Sequence, residues 1–98
     1  MPEAPMSALY RSMIYAAVAT MYFYRDDVAE VSTSGSTQGA IDVFRDKNRK
    51  IVERVFEEIG NLFDYELSWH QMDTAIVAYL MTARSIEKPA ATHQSNAA

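Results

Sequence analysis

A chain of 98 residues without a cysteine is one domain long, and it excludes disulfides, thiolate catalysis and zinc-thiolate sites together. A net charge of −4 counts against a protein that lives on phosphate backbones or anionic lipid, because such partners select an electropositive surface. Hydrophobic residues at 49% against 22% charged exclude wholesale disorder, and only three glycines and three prolines leave few turns between long elements.

The first element is a helix expected over about 6–31, started by Pro5 at a first-turn position or by Ser7 as its cap. Tyr10, Ile14, Ala17, Met21, Tyr24, Val28 and Val31 recur at spacings of four and three, the period of a helical seam. A second apolar row, Leu9, Met13, Ala16, Thr20 and Phe23, lies beside it. Within 13–24 only Thr20 is polar, so the helix is apolar around most of its circumference and one flat partner surface cannot cover it. The run does not span a bilayer: the positions between Arg11 and Arg25 make about 20 Å of helix against a hydrocarbon core of ~30 Å. Glu3 ahead of it and Asp26 and Asp27 behind it are wrong for an export signal, so a cytoplasmic location is expected.

The stretch 32–39, STSGSTQG, reads as a loop that reverses the chain between antiparallel neighbours. A second helix over 40–63 carries Ile41, Phe44, Asn48, Ile51, Val55 and Leu62 inward, with Val52, Phe56, Ile59 and Phe63 widening the stripe. Oppositely charged neighbours one turn apart, such as Asp46 with Lys50 and Arg54 with Glu58, mark its solvated side. Gly60 is its weak point and leaves open whether it stops there or at Phe63. Ser68 followed by Gln71 is a capping box, and Leu67 with Met72 has the spacing of a hydrophobic staple. A third helix over 69–86 follows, with Trp69, Met72, Ile76, Tyr79, Leu80, Ala83 and Ile86 inward, and Pro89 prevents its continuation. The last residues, 89–98, have little to bury and are expected to form a disordered tail.

The fold class expected is therefore all-α, a three-helix antiparallel bundle with two long helices and one shorter, in a single helical domain over 1–88. The double-width face of the first helix asks for more cover than two neighbours give. An exposed aromatic and aliphatic patch is an interface or an aggregation hazard. A second copy of the chain is the simplest cover, since two-fold homodimers are the commonest oligomers. The expected dimer and partner interface is Tyr10, Met13, Ile14, Ala17, Met21, Tyr22, Phe23, Tyr24 and Val28. The rival arrangement has the other two helices clasp the first from both sides.

The residues offer little chemistry of other kinds. Glu53, Glu57, Glu58, Asp64 and Glu66 lie within about a turn or a corner of His70, but the nearest, Glu66, is spaced from it by four across a helix start, not as the Glu-x-x-His pair of a helical-bundle metal site. One histidine outside the tail and no glycine-rich phosphate loop leave no nucleophile, base and orienting group, so no enzyme, cofactor or metal is expected. Arg45, Lys47, Arg49, Lys50 and Arg54 form the one basic segment, the basis of an alternative as a DNA-associated dimeric regulator. Asp42, Asp46 and Glu53 dilute it, and a mixed-charge solvent face fits better. What remains is protein binding: Tyr10, Tyr15, Tyr22, Tyr24 and the methionines give adaptable contact area. The reading is a small non-enzymatic helical protein that binds and regulates another protein, as an adaptor, inhibitor or anti-activator, with no membrane partner.

Overall fold

The computed structural model describes residues 4–82, and among them every regular element is a helix. Four helices appear where three are expected: α1 (Ala4–Phe23), α2 (Thr37–Lys47), α3 (Arg49–Phe63) and α4 (69–82). The tail over 89–98 and the end of the third expected helix lie outside the described residues.

The first correction is the early end of α1. Tyr24 leaves helical geometry at φ −95 and ψ 19, a 3₁₀ turn Arg25–Asp27 follows, and Val28 is extended. Acidic Asp26 and Asp27 would sit unfavourably at the negative end of a longer helix. Arg25 donates instead from Nη1 to the Tyr22 carbonyl at 2.9 Å, satisfying one of the orphaned acceptors of the last turn. The heptad-like seam still reports burial: Val28 and Val31 are half-buried on the core, but from an extended strap that runs beside Tyr79 and Leu80.

The second correction is the break at Asn48, which divides the expected second helix into α2 and α3. Asn48 sits at φ −117 and ψ 37 while its N–H still donates to Phe44 and its carbonyl still accepts from Val52, so the ladder bends without being lost. The cause is the side chain. The Asn48 amide accepts from Ala29 N–H at 2.6 Å and donates to Ala29 carbonyl at 3.3 Å, clamping the strap onto the bend. An asparagine in an apolar stripe thus replaces a backbone partner that the strap would otherwise lack.

Local signals set the other ends. Ser36 caps α2 by accepting from Gly39 N–H at 2.9 Å, which starts the helix three residues earlier than expected. A side chain at Gly39 would meet the cap oxygen at 3.0 Å. α3 passes through Gly60 to Phe63, and Asp64 ends it in the left-handed conformation (φ 52), a role short polar residues fill. The capping box holds in both directions: Gln71 Oε1 accepts from Ser68 N–H at 2.9 Å and Ser68 Oγ accepts from Gln71 N–H at 3.1 Å.

The core draws on every helix. Met13, Ile14, Ala17 and Met21 of α1 meet Ile41 and Phe44 of α2, Val52, Val55 and Ile59 of α3, and Met72, Ala75, Ile76 and Tyr79 of α4. Leu67, in the corner before α4, is buried with them, so both staple residues are inside. Gln71 is buried too, and its Nε2 reaches the Tyr10 carbonyl at 3.2 Å and Met13 Sδ at 3.8 Å, tying the start of α4 to α1. Trp69 is not inward as expected. It is 51% exposed, because it falls in the first turn of α4, ahead of the face that Met72 and Ile76 bury.

Candidate functional site

Nine residues of the expected interface fall into three groups. Met13, Ile14, Ala17 and Met21 lie inside the single chain, used against α2, α3 and α4. Tyr22, Tyr24 and Val28 are half-buried at its edge. Tyr10 and Phe23 are exposed, Phe23 at 75%. The clasp by neighbouring helices therefore accounts for the inner side of α1, and leaves its outer side bare.

That outer side is a continuous uncharged face. Ser12, Tyr15, Ala19 and Phe23 recur at three and four, all exposed, and no charge stands between Arg11 and Arg25. Tyr15 is 69% exposed and lies about 12 Å of helix from Phe23, with only alanine between them on this line. Leu62 of α3, 70% exposed, lines a shallow groove with Thr20 at the edge of the same face. Thr20 itself is neutralised, since its hydroxyl donates to the Ala16 carbonyl at 2.8 Å within the helix. Leu62, expected in the inward stripe, is exposed instead: in the last turn of α3 the stripe passes from Ile59 to Phe63, four residues on, which packs against the core.

Beside this face the tyrosines are engaged. The Tyr24 hydroxyl donates to Glu58 Oε2 at 2.6 Å, and Arg54 Nη1 donates to the Tyr24 oxygen at 3.3 Å and faces Glu58 at 3.9 Å. The Glu58 hydrogen bond, then burial, raise the Tyr24 phenol above the ordinary tyrosine value, because both favour the neutral form. Arg25 lies 4.2 Å over the Tyr22 ring. Tyr10 stands near His70, ring centres 6.5 Å apart.

The other candidate chemistries find these positions. His70 and Glu66 are both exposed, and among the described residues no three histidine, aspartate or glutamate side chains gather to hold a metal. In the basic segment Arg45 lies 4.0 Å over the Trp69 ring with Asp73 Oδ1 at 3.6 Å, and Arg54 is held by Tyr24 and Glu58. Lys47, Arg49 and Lys50 remain exposed around the bend. No helix of the described residues is long and apolar enough to cross a membrane.

Comparison with protein-family models, with curated proteins and with solved structures finds no match to this chain.

Proposed function

We propose that this chain is a small non-enzymatic cytoplasmic protein that forms a homodimer and, as a dimer, binds and regulates another protein in the manner of an adaptor, inhibitor or anti-activator. The observation that carries this reading is the bare outer face of α1: Tyr15 and Phe23 exposed on one line, alanines between them, Leu62 at the edge and no charge along it. Water against such a face is unfavourable by roughly 25 cal/mol per Å² of apolar area, and a second copy removes it by bringing the face against itself. Ser12, Ala16 and Ala19 let two helices approach closely, while Tyr15 and Phe23 supply the area that holds them. Two copies packed in this way complete an antiparallel helical bundle around α1.

The DNA-associated alternative is weakened by the same geometry, since Arg45 and Arg54 are already held within the chain and three cations remain at the bend. Sedimentation velocity tests the dimer. The wild-type protein is expected to sediment as two chains, and the Tyr15→Glu/Phe23→Glu double variant as one chain with unchanged far-ultraviolet circular dichroism. A wild type that stays a single chain at every concentration, or a double variant that stays dimeric, contradicts the reading.

A further inference from the structure

An open groove lies between the C-terminal half of α3, the corner over 64–68 and the start of α4. Its apolar lining is Leu67 and three aromatics, Phe56, Tyr65 and Trp69, the last two 53% and 51% exposed. Its charged lining is acidic throughout, with Glu53, Glu57, Asp64 and Glu66 and no lysine or arginine. None of these four carboxylates is in an ion pair; the two pairs among the described residues are Arg45 with Asp73 and Arg54 with Glu58. Asp64 closes α3 in the left-handed conformation and Glu66 stands two residues ahead of the Ser68 cap of α4, whereas Glu53 and Glu57 serve no helix end.

The protein already builds, next to this groove, the arrangement that would fill it. Arg45 stacks 4.0 Å over the Trp69 ring and faces the Asp73 carboxylate at 3.6 Å: a guanidinium on an aromatic plane with an acid at its edge. Phe56 meets the same indole edge-on, ring centres 4.7 Å apart. The groove repeats two of the three parts, aromatic faces and carboxylates, without a guanidinium. Tyr65 presents an open ring, and Glu57 of α3 and Glu66, next to Tyr65 in the corner, line the same groove.

We propose that this groove docks an arginine-bearing segment of a partner protein, its guanidinium lying on Tyr65 and paired by Glu57 and Glu66. Arginine suits the site better than lysine, since its planar, weakly hydrated fork stacks on a ring and pairs with a carboxylate at once. The proposal rests on the reading of a protein-binding protein and names its partner's chemistry; it does not use the outer face of α1.

Trp69 is the single tryptophan of the chain and lines the groove, so its emission reports occupancy. Titration of the full chain with an end-blocked peptide of alternating arginine and glycine is expected to give a saturable emission change that weakens as salt is raised. Glu57→Gln/Glu66→Gln is expected to weaken the midpoint about fivefold or more, and Tyr65→Ala to weaken it further. No saturable change with the wild type, or equal midpoints in wild type and variants, overturns the proposal. So does emission that shifts with protein concentration alone and stops shifting in the double glutamine variant, which would make a second copy the occupant. Sedimentation of the same variants separates the two occupants: their mass is expected to match that of the wild type if a peptide fills the groove, and to fall if a second copy does.

Discussion

Phe44→Ala is expected to lower stability by about 3–5 kcal/mol, seen as a fall in the urea midpoint with little change in slope. Phe44 is the largest side chain to be fully buried among the described residues, and it meets Tyr79 edge-on with ring centres 6.0 Å apart. It stands one turn before the bend at Asn48, where α2, α3 and α4 converge, so the helices cannot all close on the space it leaves. The loss is a large share of the roughly 5–15 kcal/mol that holds a domain folded, and in a chain this short the variant is expected to unfold well below the wild-type temperature. Phe23→Ala is the contrasting control: an exposed aromatic on the outer face of α1, expected to change the stability of the isolated chain by less than about 0.5 kcal/mol.

Asn48→Ala is expected to cost about 2 kcal/mol and to lower the melting temperature by about 10 °C. The substitution puts a better helix former at the bend between α2 and α3, so a purely local view would expect a gain. The opposing effect is larger, since the buried amide makes both hydrogen bonds to Ala29 and without it the strap loses its anchor to the bend. Amide exchange at Ala29 is expected to speed up at the same time, whereas exchange in α4 follows only the global loss. A melting temperature within a degree or two of the wild type would show that water satisfies Ala29 and that the clamp contributes nothing.

These two residues also show what could be read from the chain before its structure. Apolar spacing of three and four identified the buried positions of each helix, Met13, Ala17, Phe44, Val55, Ile59, Met72 and Ile76 among them, because burial follows the helical period whatever the helix packs against. The capping box at Ser68 and Gln71 was legible for a different reason: it is closed by residues three apart and needs no tertiary partner. The same pattern hid the end of α1. Val28 and Val31 keep the spacing of a helix and do reach the core, but an extended strap buries them as well as a helical turn does. The break at Asn48 was equally hidden, since its partner, Ala29, is nineteen positions away and carries no side-chain signal.

The site divides along the same line. That α1 has more apolar face than its own neighbours cover was evident from the uncharged run over 13–24. Which of its residues stay outside depended on where α3 and α4 settle. Met13 and Met21 went to the core, and Tyr15, Phe23 and Leu62 stayed in water. The acidic and aromatic groove had no trace in periodicity, because Phe56, Tyr65 and Trp69 come from two helices and the corner between them.

The chain has no cysteine, which allows one to be placed at will, and Ala19 is the exposed midpoint between Tyr15 and Phe23. Disulfide formation in Ala19→Cys under mild oxidation, compared with Thr74→Cys on an exposed face of α4, tests self-association through α1 most directly. Two cysteines join only when their Cα atoms come within about 7 Å. A covalent two-chain product that forms rapidly from Ala19→Cys at low micromolar concentration, and slowly or not at all from Thr74→Cys, is the result expected if two copies meet on this face. Equal rates from the two positions, at the slow pace of chance collision, would contradict it.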